Sequence, residues 1–338
     1  MNSQPVRSRG TRRDRRFVLK LGLVGTTASV LGLSAVATGH QITRAQSNEV
    51  RVGFQKRAPG LLVLKAQGEF EKRLETIGVS VTWNEFPAGP PMLEALNAGA
   101  IDFGYTGAPP PIFAQAAGAD LVYILATKPS PDTQAIIVPK DSPIQGPADL
   151  AGTKVAVTKG SSANALLVRA LQAGGLEWGD AEAVFLLPAD AKAAFEGGSV
   201  DAWSIWDPYY AAEEAVSDVR AIATDGSVSS PNRAFYLASR TFATESDDAL
   251  QILEQALTES EQWSADHPQE VAKLVSSETG LDVGTLLKAE SRRSFGIEQI
   301  TPEIVTAQQE LADLFQEIGL IPESIDIASA TLPTQTIA

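Results

Sequence analysis

From Val50 onward the chain repeats one local pattern: a short β-rich run, a turn with glycine or a small polar residue, then a helical stretch. "VRVGF" (50–54) leads to "GLLVLKAQGEFEKRL" (60–74), and "VSVTWNEF" (79–86) to "GPPMLEALNAG" (89–99), where Pro91 sits near a first helical turn. "IDFGYTG" (101–107), "PPPIFAQAAG" (109–118) and "DLVYILAT" (120–127) continue the rhythm. Strands separated by helices are not hairpin partners, so the alternation predicts a parallel α/β sheet.

A second block repeats the theme. "AIIVPK" (135–140) and a short helix, "GPADLAG" (146–152), precede the strand "KVAVTKG" (154–160). The following helix has an apolar face of Leu166, Leu167, Ala170 and Leu171 and is ended by Gly174-Gly175. "AVFLLP" (183–188), "ADAKAAFEGG" (189–198), "DAWSIWDPY" (201–209) and "RAIAT" (220–224) follow. After "AFYLAS" (234–239) the pattern turns helical, over 246–264, 267–278, 282–294 and 302–318. About 290 residues of this kind suffice for two domains.

Ligands of open α/β sheets sit beyond the carboxyl ends of the strands. At those ends the sequence places Gln55-Lys56, Ala88-Gly89 and Thr106-Gly107 in the first block, and Lys159-Gly160-Ser161-Ser162 in the second. Glycine admits close backbone approach, and a helix N-terminus offers free N–H groups and partial positive charge to an anion. Each feature also has a plainer reading. A Gly-Ser-Ser turn caps helices, Gln55 fits an exposed loop, Trp206 fits a core, Asp207 before Pro208 starts a turn, and Arg233 fits a surface. Their joint position at strand ends of both blocks favours one shared cleft.

Charge and composition exclude several classes. The first 45 residues hold eight Lys/Arg and one acidic residue, leaving 19 basic against 40 acidic residues from Gln46 on. So acidic a body, without clustered Lys/Arg, excludes nucleic acid as a partner. The opening segment has the order of an export signal, and "DRRFVLK" (14–20) matches a twin-arginine pattern with Arg15-Arg16 as the pair. Thr43-Arg44-Ala45 supplies a small-x-small cleavage site; an uncleaved membrane helix over 21–39 is the alternative. With no cysteine there is no lipid anchor, disulfide or Cys–metal site. His40 and His267 are the two histidines, and neither a phosphate loop, a G-x-S-x-G elbow nor H-E-x-x-H occurs.

The chain resembles the periplasmic aliphatic sulfonate-binding proteins of ABC importers, in the wider group with taurine- and nitrate-binding proteins. The resemblance runs from about Val50 to Ile325. It is dense in "VGFQK" (52–56), "EFPAGPPMLEALNAGAIDFGYTGAPPPIFAQAAGADLVY" (85–123), "KGSSANALLVRAL" (159–171), "PADAKAAFEGGSVDAWSIWDPYY" (188–210) and "FYLASR" (235–240). It departs at "RAPG" (57–60) and "SSPNRA" (229–234).

The resemblance implies a two-lobed, type II periplasmic-binding α/β fold with mixed, mostly parallel sheets. One lobe would combine 46–134 with 240–338 and the other would span 135–239, the ligand lying between them. It implies a small organic anion, an alkanesulfonate, passed to a permease and ATPase, with no cofactor, metal or catalytic residue. Ser161, Ser162 and the N–H groups around Gly160 would hold the sulfonate from the second lobe. Gln55, Gly89 and Gly107 would meet it from the first. Trp206 would wall the tail. Asp207 would either orient a donor or repel wrongly protonated anions, and Arg233 would reach the cleft as a cation. The competing expectations are taurine, nitrate, an aromatic sulfonate or a sulfate ester as ligand, a sensory domain, or an enzyme on the same fold. The export signal, the lack of cysteine and the position of His267 count against an enzyme.

Overall fold

The computed structural model describes residues 48–332, so the expected export segment, 1–45, lies outside the described residues. The chain begins with β1 (Glu49–Phe54), α1 (Pro59–Gln67), α2 (Glu69–Glu75), β2 (Ser80–Glu85) and α3 (Gly89–Asn97). It continues with β3 (Phe103–Gly107), α4 (Pro109–Ala116) and β4 (Leu121–Thr127). Next come β5 (Gln134–Pro139), β6 (Lys154–Val157), α5 (Ser162–Ala173), β7 (Glu182–Phe185) and α6 (Pro188–Glu196). Then β8 (Ala202–Trp206), α7 (Tyr209–Val216), β9 (Val219–Thr224) and β10 (Ala234–Ser239) follow. The last part holds α8 (Arg240–Glu245), α9 (Asp247–Asp266), α10 (Pro268–Thr279), α11 (Val283–Glu290), β11 (Ile297–Gln299) and α12 (Pro302–Glu317).

Two sheets result, in the orders β11-β4-β10-β3-β1-β2 and β7-β6-β8-β5-β9. In the first, β1 pairs parallel with β2 and β3, while β10 lies antiparallel between β3 and β4. In the second, β6 pairs parallel with β7 and β8, and β5 runs antiparallel to β8 and β9. This is a two-lobed, mixed α/β fold, and the chain passes between the sheets twice, over 128–133 and 225–233. The second passage corrects the expected lobe boundary at 239. "AFYLAS" is the antiparallel inner strand of the first sheet, and adjacency in sequence to β9 does not reveal which sheet it joins. Its near-continuous burial is what an inner strand covered on both faces requires.

Two further departures have local causes. The helix expected over 60–74 is split at Gly68, whose φ of 64° ends α1 in a left-handed turn. The helix expected over 282–294 stops at Glu290, and the freed residues carry Arg292 to Asp207 at the end of β8, while Arg293 turns back to Glu261 and Glu290. Apolar clusters cover both faces of the first sheet, and a third, centred on Trp203, fills the second lobe. Ala165 and Val168 of α5 belong to the cluster built by α3, α4 and α12, so the two lobes pack directly against each other there.

Candidate functional site

The turn after β6 is built to expose one end of α5. Gly160 takes φ +69°, and its N–H donates to Asn164 Oδ1 at 3.0 Å. Ser161 is the N-cap: its hydroxyl accepts from Asn164 N at 3.2 Å and donates to the Thr158 carbonyl at 2.6 Å. Its donor is therefore spent inside the turn. Ser162 is the first helical residue, where backbone N–H groups have no intrahelical acceptor. Its hydroxyl faces the first lobe and accepts from Arg57 Nη1 at 2.6 Å.

The opposing wall comes from the carboxyl ends of β1 and β3. Gln55, Arg57, Gly89, Thr106, Gly107, Pro110, Ser161, Ser162 and Trp206 line a small cavity between the lobes. Six of the nine expected site residues meet there: Gln55, Gly89, Gly107, Ser161, Ser162 and Trp206. Gln55 is buried, with Nε2 donating to the Tyr105 carbonyl at 2.7 Å. Trp206 is buried at the end of β8, edge-on to Tyr209.

Arg57 was missed as a site residue. It follows Gln55-Lys56 directly and opens the "RAPG" stretch, so its position beyond a strand end was the available signal. Its guanidinium bridges lobes: besides Ser162 it reaches Asn232 Oδ1, on the second passage, at 3.2 Å. The cavity thus offers a full positive charge as well as helix-end dipoles, enough to hold an anion with several acceptor oxygens.

Gly89 and Gly107 are required by close approach. A methyl group at 89 would lie 1.9 Å from Thr106 Oγ1, and one at 107 would lie 2.9 Å from Ser162 Cβ. Gly107→Ala is expected to keep the lobes apart, at a cost of about 1–3 kcal/mol, or roughly five- to 150-fold in affinity. Titration calorimetry checks this, and unchanged affinity would mean that the lobes do not need this contact.

Three expected site residues lie elsewhere. Gly160 packs its Cα against Phe113, where a methyl group would meet the ring at 3.2 Å. Arg233 donates to the Thr127 carbonyl at 2.7 Å and pairs with Glu298 on β11, so it is held within the first sheet. Asp207 lines a larger neighbouring cavity with Lys56, Tyr105 and Arg293. Its Oδ1 accepts from Ala211 N at 2.9 Å, and Arg292 Nη1 lies 3.2 and 3.3 Å from its two oxygens. Burial pushes the Asp207 carboxyl up to about 6, with Arg292 pulling the other way.

Behind Ser162, Gln134 Nε2 donates to its carbonyl at 3.2 Å, and Asp225 lines the adjoining cavity. Burial pushes Asp225 up to about 7 against an ordinary 3.8, although Ser230 and Gln134 hydrogen-bond it. The folded chain therefore holds this proton more tightly than the unfolded chain. The group's stabilising share is complete below about pH 4 and is lost as pH rises through 7. Asp225→Asn, fixed in the neutral form, should raise Tm at pH 8, by up to ~4 kcal/mol in stability, and leave it unchanged at pH 4. An equal shift at both pH values would show that burial of the charge is not the cause.

The fold and its cleft are of the type II periplasmic-binding class. Residues 24–271 match the family model described as NMT1/THI5 like. A relative from Escherichia coli (strain K12), whose name assigns it to aliphatic sulfonate binding, is 40% identical over 92% of this chain and 95% of its own. The alkanesulfonate-binding protein SsuA from Xanthomonas axonopodis pv. citri, solved with MOPS bound, is 36% identical, with a TM-score of 0.81 over 85% of this chain and 99% of that one. The desulfurization enzyme DSZB shares the fold alone, at 16% identity and a TM-score of 0.63 over 85% of this chain and 97% of that one. The chain belongs to the NMT1/THI5-like family and, within it, to the family of these sulfonate-binding relatives.

Proposed function

We propose that the chain is the substrate-binding component of an ABC importer, capturing an aliphatic sulfonate and delivering it to a membrane permease with its ATPase. The observation that carries this is the small cavity where the N-terminus of α5 and the Ser162 hydroxyl face the Arg57 guanidinium across the cleft. A sulfonate has three acceptor oxygens, no donor, and stays ionised at any physiological pH. Backbone N–H groups at Ser162, its hydroxyl and Arg57 match it, and Trp206 walls the first part of the tail. Gln55, Gly89 and Gly107 shape the chamber. Gly160 and Ser161 act by building the turn. Asp207 acts in holding the lobes, and Arg233 in fixing β10 to β11.

The lobes of this reading are sheet one with 48–127 and 234–332, and sheet two with 134–224, hinged at the two passages. Closure about such a hinge desolvates the anion and presents one shape to the permease. A twin-arginine signal over 1–45 would place the protein in the periplasm, without a lipid anchor. The relatives named for sulfonate binding support binding rather than catalysis.

The test is isothermal titration in a buffer free of sulfonates such as HEPES or MES, with alkanesulfonates, taurine, a benzenesulfonate, nitrate and sulfate. Micromolar or tighter binding of a sulfonate, with nitrate and sulfate silent, is expected. Tight nitrate binding, or silence throughout, would overturn the reading. The serines separate by role: Ser162→Ala should weaken binding about ten-fold, the scale of one charge-assisted hydrogen bond. Ser161→Ala should instead cost about 1 kcal/mol of stability through the lost cap. The reverse assignment in calorimetry and thermal melts would move the anion to Ser161.

A further inference from the structure

The strand ends that build the small cavity each place a neighbouring residue in the larger one. Gln55 is followed by Lys56, Thr106 preceded by Tyr105, and Trp206 followed by Asp207, while Arg57 lines both. Because Arg57 lines both, a chain that leaves the first chamber past its guanidinium enters the second. That chamber is not lined for a plain alkyl chain. Val275, Leu286 and Ala289 give it an apolar wall, but charged groups stand opposite.

The two carboxylates there already have cationic partners. Asp207 is met by Arg292, and Glu290 by Arg293 Nε at 3.1 Å. Burial pushes the Glu290 carboxyl up, with Arg293 pulling the other way. Two donor groups nevertheless have capacity left. Lys56 makes no ion pair among the described residues and donates to the Thr279 carbonyl at 3.2 Å. Arg293 gives Nη1 to both oxygens of Glu261, at 2.9 and 3.0 Å, but its buried Nη2 has no hydrogen-bond partner. An alkyl tail would strip water from Lys56 and leave the Nη2 of Arg293 unpartnered. An anionic oxygen group would satisfy them with charge-assisted bonds.

We propose that the preferred ligand is bifunctional, a sulfonate whose short chain ends in a carboxylate, with Lys56 and the Nη2 of Arg293 receiving that carboxylate in the second chamber. This rests on the sulfonate reading of the first chamber. Lys56 sets the specificity, since it is partly exposed and held by one carbonyl, while Arg293 is fixed by Glu261 and Glu290.

The test titrates the full chain with four sets matched in length, from about two to six carbons: alkanesulfonates, ω-sulfocarboxylates, their methyl esters, and ω-aminoalkanesulfonates. At the best length the carboxylate should bind ten-fold or more tighter than its alkyl match, with the ester between and the amine weakest. Lys56→Met should lower the carboxylate-to-alkyl ratio five-fold or more, and Lys56→Arg should keep it near the wild-type value; an unchanged ratio in Lys56→Met overturns the role of Lys56. An alkyl chain binding as tightly as the carboxylate, or a preference for the amine, overturns this inference and leaves the sulfonate reading intact. Silence of all four sets removes both.

Discussion

Arg57→Met is expected to weaken sulfonate binding about a hundred-fold. Of the side chains lining the small cavity, Arg57 alone is charged, and it stands opposite the Ser162 hydroxyl, with Nη1 at 2.6 Å. Charge-assisted hydrogen bonds contribute about 1.5–3 kcal/mol each, so the loss of one or two corresponds to roughly one to four decades in Kd. The body of the protein is acidic, but that field is diffuse and is screened beyond about 8–10 Å. The guanidinium is close and partly buried, and so decides the local sign. Arg57→Lys should fall between wild type and Met, because an ammonium cannot reproduce the fork that spans Ser162 and Asn232. Titration calorimetry at two salt concentrations measures this, and the melting temperature of each variant without ligand controls for folding. An Arg57→Met affinity within three-fold of wild type would leave the α5 end as sole anchor.

The position of the site was legible because strand ends and glycines are local features. Gly89 and Gly107 stand where a methyl group would collide with Thr106 or Ser162, and Gly160 takes the left-handed φ that its turn needs. What was not legible is how donors are divided. Ser161 and Ser162 are adjacent and chemically alike, yet one is consumed by the cap and the other faces the cleft. That division follows from which residue starts the helix, and helix boundaries shift by a residue or two in any sequence reading. Arg57 and Arg233 were similarly interchangeable as loop cations. Their difference lies in partners 105 and 65 residues away, Ser162 and Glu298. The strand "AFYLAS" was recognised as a strand, but its sheet is set by non-local pairing with β3 and β4. The early end of α11 at Glu290 was also hidden, and it is what carries Arg292 across the cleft.

That crossing supports the second large effect: Arg292→Met should weaken ligand binding by about a hundred-fold at pH 8. Arg292 follows α11, on the first-sheet side, and meets Asp207, Glu214 and the Tyr210 ring, all of which follow β8 of the second sheet. Lys288 adds a second bridge to Glu214 at 3.0 Å. Asp207 has a side-chain exposure of only 8%, so removal of its partner leaves a carboxylate that neither water nor a cation compensates. Breaking such a buried pair costs about 3–5 kcal/mol. The cost falls on the closed form, because an open cleft returns Asp207 to water, and about 3 kcal/mol is roughly a hundred-fold in Kd. The pH dependence has a definite sign. Burial already holds Asp207 at about 6 with Arg292 present, so closure takes up a proton and is favoured as pH falls through 6. Without the guanidinium the carboxyl rises further, and the variant should regain more affinity between pH 8 and pH 5 than wild type does. Asp207→Asn in the same chain keeps an oxygen for the Ala211 N–H while removing the charge. The double variant should therefore bind within about ten-fold of wild type. A double variant as weak as Arg292→Met alone would show that the guanidinium acts by packing on Tyr210 rather than by neutralising Asp207. Wild-type affinity in the single variant at pH 8 would mean that the ion pair forms and breaks without cost to closure.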